Sequence, residues 1–114
     1  MSINFLMPYT VYTTESFERE LGKLSEYNKE VIKKIFMQLK DNPYVGDQIR
    51  YKFFREKRIK EKRIYYLVYD DLKIVLIVAL GGKKAQEGTI NEIAKYFQEY
   101  KKYAEKLSHS SDFT

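Results

Sequence analysis

The chain has 114 residues, 44% of them apolar, with 21 Lys/Arg against 16 Asp/Glu and a formal net charge of +5. That length and apolar content fit one domain around one modest core. The absence of cysteine excludes a disulfide scaffold, a thiolate zinc site and a cysteine nucleophile, and no apolar run reaches the roughly 18 residues of a membrane span.

The opening MSINFLMP is apolar but too short for a signal h-region. It lacks a basic n-region and is cut by Pro8, so a soluble, cytoplasmic chain is expected. Tyr9–Tyr12 is a short β-rich run that stops at Thr13-Thr14. Thr14 can cap a helix whose first turn holds Glu15 and Glu18, the right sign for the helix dipole. Phe17, Leu21 and Leu24 then repeat at helical spacing. Ser25 caps a second helix, in which Val31, Ile35 and Leu39 form a stripe flanked by Ile32 and Phe36. Asn42-Pro43 ends it, because the residue before proline is pushed out of the α region. A helical hairpin is therefore expected at the N-terminus.

The segment Arg50 to Arg63, RYKFFREKRIKEKR, carries eight Lys/Arg against two Glu and so holds the chain's whole cationic excess. Arg50–Arg55 is expected to form a strand and Glu56–Lys62 an exposed turn, since a charge run of mixed sign suits a solvated face. Lys62–Tyr69 and Leu72–Leu80 are dense in Val, Ile, Leu and Tyr around the turn-compatible pair Asp70-Asp71. The second run is apolar on both faces, which predicts a central strand covered by helices on at least one side. Gly81-Gly82 ends the sheet. Thr89-Ile90-Asn91-Glu92 has the form of a capping box, and Ile90, Ile93, Ala94, Phe97, Tyr100, Ala104 and Leu107 make one long helical stripe. The last helix either packs on the same core or engages a second copy as a homodimer. From Ser108 the tail SHSSDFT has no periodicity and is expected to be disordered, with His109 solvated.

The predicted fold class is α+β: a small twisted, mainly antiparallel sheet with an N-terminal helical hairpin and a C-terminal helix, in one domain over residues 1–107. A cationic surface interleaved with Tyr51, Phe53 and Phe54 on a sheet suits a polyphosphate backbone with unstacked bases, and so RNA ahead of duplex DNA. The same aromatics, with Tyr65, Tyr66 and Tyr69, also serve as ordinary sheet packing.

Taken in order, these parts resemble the RelE/ParE toxin superfamily, including its HigB-like branch. The resemblance spans roughly Tyr9 to Tyr103. It is carried by a helical hairpin closing at Lys40-Asp41-Asn42-Pro43, a basic strand, then KRIYYLVYDD and KIVLIVALGGKK. Arg63 before Ile64-Tyr65-Tyr66 looks like the family's arginine-aromatic strand start, and Gly81-Gly82-Lys83-Lys84 looks like its Gly-basic-basic strand end. The continuation KKAQEGTINEI and a long final helix look like the HigB type.

The resemblance implies a toxin that cleaves messenger RNA, usually on the ribosome, by attack of the 2′-hydroxyl on the adjacent phosphate. It further implies a cognate antitoxin that wraps the toxin surface, and neither metal nor other cofactor. By family position, Lys52 matches a basic residue of the second strand, Arg63 a phosphate-binding arginine, and Lys83 or Lys84 the basic position at the end of the fourth strand. Arg50, Arg55, Lys57 and Arg58 are the accompanying candidates for nucleic-acid binding. Guanidinium binds phosphate bidentately without titrating, which suits Arg63 to a clamp. Lys52 or Lys57 serves as a base only if neighbouring cations depress its pKa strongly.

One departure stands out. The family's tyrosine or histidine is due a few residues after Lys84, where this chain has Ala85, Gln86, Glu87 and Gly88. Either Tyr96 or Tyr100 returns from the last helix to fill that role, or, as their place near the apolar stripe favours, both pack the core. Three function classes therefore stay open: an endoribonuclease of the RelE/HigB type, a ParE-like toxin that acts on DNA gyrase without cutting RNA, and a non-catalytic nucleic-acid-binding regulator on the same fold.

Overall fold

The structure, a computed structural model, describes residues 8–112; most of the opening apolar segment weighed as a leader lies outside it. β1 (Thr10–Thr13) leads into α1 (Glu15–Gly22) and α2 (Glu26–Asp41). The strands β2 (Asp47–Ile49), β3 (Tyr51–Ile59), β4 (Lys62–Tyr69) and β5 (Ile74–Gly82) follow. A 3-10 turn at Lys83–Ala85 then opens into α3 (Gln86–Lys95) and α4 (Phe97–Asp112). The five strands form one sheet in the order β1-β5-β4-β3-β2. β1 runs parallel to β5 and the other pairs are antiparallel, so the sheet is mixed and mainly antiparallel, as expected. Among the described residues no helix is long and apolar enough to cross a membrane.

The helical hairpin forms where its caps place it. The Thr14 hydroxyl accepts from the Phe17 amide at 3.3 Å and the Ser25 hydroxyl from the Asn28 amide at 3.2 Å, each satisfying an orphan donor of a first helical turn. Phe17, Ile32, Ile35 and Leu39 are buried against Ile64, Tyr66, Val68, Val75 and Ile77 on one face of the sheet. On the other face, Tyr65, Leu67, Tyr69, Ile74, Leu76 and Val78 meet Ile90, Ile93 and Ala104 of α3 and α4. The period-2 alternation of β4 and β5 thus feeds two cores, and the helices make a layer on each side of the sheet. A bulge between Tyr65 and Tyr66 leaves Val78 as the extra residue of β5. The Val78 carbonyl accepts from the Thr14 hydroxyl at 3.2 Å, so the entry to α1 satisfies it.

Several boundaries differ from the sequence expectation. Glu56–Lys62 is not an exposed turn: β3 continues to Ile59, and the turn is only Lys60-Glu61, with Ile59 opposite Lys62. Residues 56–59 stay in strand because Ile59 is buried while the charged heads of Arg58 and its neighbours lie at the rim, where their stems pack and their ends reach water. Lys60 takes the left-handed conformation this tight turn demands, φ 55°. β2 escaped notice because three residues are too few for a pattern. Arg50 is not in a strand but is the left-handed residue, φ 59°, at the fold-back between β2 and β3. β5 starts at Ile74 rather than Leu72 and includes both glycines, since Leu72 and Lys73 complete the turn after Tyr69 through amide bonds to the carbonyls of Tyr69 and Asp70.

The last segment departs further. Thr89 lies inside α3 and caps nothing: the 3-10 turn already bends the chain into a helical path, so α3 begins at Gln86. The expected single helix breaks at Tyr96, φ −112° and ψ 21°, and the break sets Phe97 edge-on to Phe53 and Phe54 at 5.1 and 5.3 Å. α4 packs on the chain's own core and continues through Asp112, so Ser108–Asp112 is helical where a tail was expected. Once a helix exists, each further residue adds a backbone bond without needing an apolar partner.

Candidate functional site

The β3–β4 turn and the end of β5 stand side by side, and the strand register sets which charges converge there. Arg58 lies opposite Arg63, Arg63 opposite Gly81, and Lys62 opposite Gly82. Beyond Gly82 the 3-10 turn brings Lys83 and Lys84 over the same edge. An open cleft of about 700 Å³ results, lined by Arg58, Lys60, Lys62, Arg63, Lys83 and Lys84, with Glu61 the one carboxylate among its lining residues. Six cations around one cleft give a positive potential suited to a polyanion.

Arg63 is the anchor of this cleft. It is only 6% exposed, and its Nε lies 3.6 Å from Glu56 Oε1, an ion pair too long to be a hydrogen bond. The other Glu56 oxygen accepts from the Gln86 side chain at 3.2 Å, which ties the start of α3 to β3. Arg63 Nε and the Tyr65 hydroxyl are both buried without a hydrogen-bond partner. Burial pushes the Tyr65 phenol above its ordinary pKa; Glu56 adds to the rise and Arg63 opposes it, so the hydroxyl stays protonated and able to donate. The two unsatisfied donors lie on one side of β4, and of the two residues Arg63 lines the cleft.

The sequence candidates separate in space. Arg58, Arg63, Lys83 and Lys84 come together in the cleft. Lys52 does not: it lies near the other end of β3, with its Nζ 5.0 Å over the Tyr44 ring. Lys57 pairs with Ile64 and, by alternation, faces the helical-hairpin side of the sheet. Arg55 is taken up structurally, donating to the carbonyls of Tyr44 at 3.0 Å and Gly46 at 2.7 Å. Arg50 binds the Asn91 side chain at 2.6 Å and Glu87 at 3.3 Å, fastening the β2–β3 fold-back to α3. The sequence reading missed Lys60, Lys62, Glu56, Tyr65 and Gln86. The first four were recoverable by treating 51–69 as a hairpin about Lys60-Glu61, which puts Glu56, Arg58, Arg63 and Tyr65 on one face.

At the far end of the sheet a second polar cluster centres on Asp70, which accepts from the Tyr9 hydroxyl at 2.6 Å and the Tyr44 hydroxyl at 2.7 Å. Among the described residues, no three or more of His, Cys, Asp or Glu group as a metal site.

No protein-family model matches the chain, and no curated protein does. Solved structures do. A doubly substituted E. coli toxin RelE in the free state superposes with a TM-score of 0.70 at 21% identity, covering 80% of this chain and 99% of that one. A RelBE toxin–antitoxin complex from Mycobacterium tuberculosis gives 0.59 at 25% identity over 67% of this chain and 99% of that one. An archaeal RelE–RelB complex from Pyrococcus horikoshii gives 0.58 at 19% identity, covering 68% and 97%. The chain has the RelE-type toxin fold, in agreement with the resemblance carried by its sequence.

Proposed function

We propose that this RelE-type fold serves a toxin that binds RNA through the cleft at Arg63 and cleaves it by attack of the 2′-hydroxyl on the adjacent phosphate. The observation that carries the reading is the buried Arg63 with its unpartnered Nε, set among five further Lys/Arg of one cleft. A charge held there without solvent is worth more to a developing oxyanion than the same charge in water. Arg63 supplies a fork-shaped clamp for phosphoryl oxygens; Lys83 and Lys84, on the turn after β5, add point charges from the opposite side. Glu56, itself tied to Gln86, pairs with the Arg63 guanidinium at 3.6 Å and offsets part of its charge. For proton transfer the lining offers four lysines and Glu61. An antitoxin segment rich in Asp and Glu suits the same cleft as a polyanion mimic.

The test is an in vitro cleavage assay on ribosome-bound messenger and on free RNA, with Arg63→Ala beside the parent chain. A loss on the order of 10²-fold with an unchanged melting curve is expected. Lys52→Ala should cut as the parent does, because Lys52 is remote from the cleft. If the parent chain arrests growth yet leaves messenger intact, the nuclease reading fails and the gyrase-directed class replaces it. The four residues after Lys84, without a tyrosine or histidine, are the feature that keeps that class in view.

A further inference from the structure

The tip of the β3–β4 hairpin divides two cavities, and only one of them belongs to the cleft described above. The other, of about 260 Å³, opens between the helical hairpin and the sheet. Leu24, Ile32, Ile59 and Leu80 wall it, and Asn28 is its one uncharged polar side chain. Lys60, Glu61 and Lys62 line this cavity and the cationic cleft alike, so the two lie on either side of a single turn. Next to Asn28 stands Tyr27, 65% exposed, with the Lys60 Nζ 4.6 Å from its ring centre.

Each feature limits what can sit there. The volume lies below the roughly 300 Å³ at which pockets for drug-sized ligands begin, so it admits little more than one flat ring. Leu24, Ile32, Ile59 and Leu80 give the cavity walls that favour an apolar face, whereas Lys60 and Lys62, which line it together with Glu61, call for an anion beside that face. A group that is apolar on its faces, carries hydrogen-bonding edges and is covalently attached to a polyanion satisfies both halves: a nucleobase on its sugar-phosphate. Tyr27 adds an exposed ring, and base–aromatic stacking is a recurring way for proteins to hold unpaired bases. The acidic, apolar side of a peptide could match the charges but would leave the Asn28 carboxamide and the Tyr27 ring face unused.

We infer that the small cavity is a nucleobase subsite next to the phosphate cleft, in which the Asn28 carboxamide hydrogen-bonds the base edge while Tyr27, outside the lining and joined to it through Lys60, stacks on the part of the base left outside. This rests on the RNA reading of the cleft and deepens it, by giving the protein a means of preferring one base beside the bound phosphate. Tyr27 and Asn28 sit in the first turn of α2, so the subsite is held by a capped helix end rather than by a loop.

Anisotropy titrations of the full-length chain with a short labelled RNA, and with versions carrying an abasic nucleotide at each position in turn, test this. One abasic position should weaken binding on the order of tenfold. Tyr27→Ala should cost a similar factor against the intact RNA and nothing further against that abasic RNA, and Asn28→Leu should change which base is preferred there. Tyr27 is exposed, so its removal leaves the melting curve unchanged. If every abasic RNA and both variants bind as the parent pair does while Arg63→Ala still weakens binding, the subsite is refuted and the cleft reading survives. If Tyr27→Ala leaves RNA binding intact but weakens an acidic peptide partner, the cavity docks protein and the inference is overturned. If no RNA binds and Arg63→Ala changes nothing, the cleft reading has failed and takes this inference with it.

Discussion

Arg63 and Asp70 mark the two ends of the sheet, and each shows a charge put to a different use. Arg63 is buried beside one carboxylate and leaves a donor unpaired, an arrangement that costs stability. Asp70 is satisfied by two phenols and is structural: it joins the start of β1 and the loop after α2 to the β4–β5 turn. Burial by itself would raise its carboxyl pKa, but the hydrogen bonds from Tyr9 and Tyr44 and the fields of Lys52 and Lys73 outweigh it and hold the group below its ordinary 3.8. A carboxylate with a lowered pKa lends stability that is complete above its unfolded value and is lost as pH falls through the folded one. Asp70→Asn should therefore lower the melting temperature at neutral pH and shrink the decline below about pH 4. Calorimetric scans over that range settle the matter; parallel declines for the two proteins would assign the acid limb to other carboxylates. The same cluster raises the Tyr9 phenol to about 12, by burial first and by Asp70 second, so it does not ionise in any ordinary buffer.

Among the elements, the loop from Pro43 to Gly46 has no regular structure of its own and depends on side chains from the sheet. The Tyr66 hydroxyl donates to the Pro43 carbonyl at 2.7 Å and accepts from the Gly46 amide at 3.0 Å, while Arg55 holds the carbonyls of Tyr44 and Gly46. A Cβ at Gly46 would collide with the Glu56 carbonyl oxygen and the Tyr66 hydroxyl, so only glycine lets β2 approach β3 so closely. Tyr66→Phe keeps the packing and orphans two buried backbone groups, which should cost about 1–3 kcal/mol. Urea denaturation checks this, with a lower midpoint and an unchanged slope as the expected result. A loss within error would show that water reaches the loop and replaces the hydroxyl.

For the molecule as a whole, the decisive arrangement is a sheet covered on both faces. The helical hairpin covers one face, and α3 and α4 cover the other through Ile90, Ile93, Phe97 and Ala104. Removing α4 by truncation after Lys95 would uncover the aromatic cluster of Phe53, Phe54 and Tyr69. An apolar patch of that kind drives association. The truncated chain should bind a hydrophobic dye strongly, melt at a lower temperature and aggregate. A truncated chain that stays monomeric and dye-negative would mean that α4 is an accessory to the core.

What the sequence by itself determined follows from local chemistry. Thr14, Ser25 and Asn42-Pro43 bound the two helices because caps and a proline act within a few residues, and the density of Val, Ile, Leu and Tyr before Asp70-Asp71 marked the strand Lys62–Tyr69. The resemblance to RelE-type toxins was legible for the same reason, since it lies in the order of such elements. The tertiary structure decided what depends on partners distant in the chain. Lys52, Arg55 and Arg63 look alike in one basic segment, yet strand pairing sends Lys52 to Tyr44, Arg55 to loop carbonyls and Arg63 to the cleft. In a β-hairpin, register and face assign every side chain at once. Both depend on where the turn falls, and the turn at Lys60-Glu61 carries no glycine or asparagine to announce it. It is held by the burial of Ile59 against residues from the helical hairpin, contacts that exist only once the chain has folded.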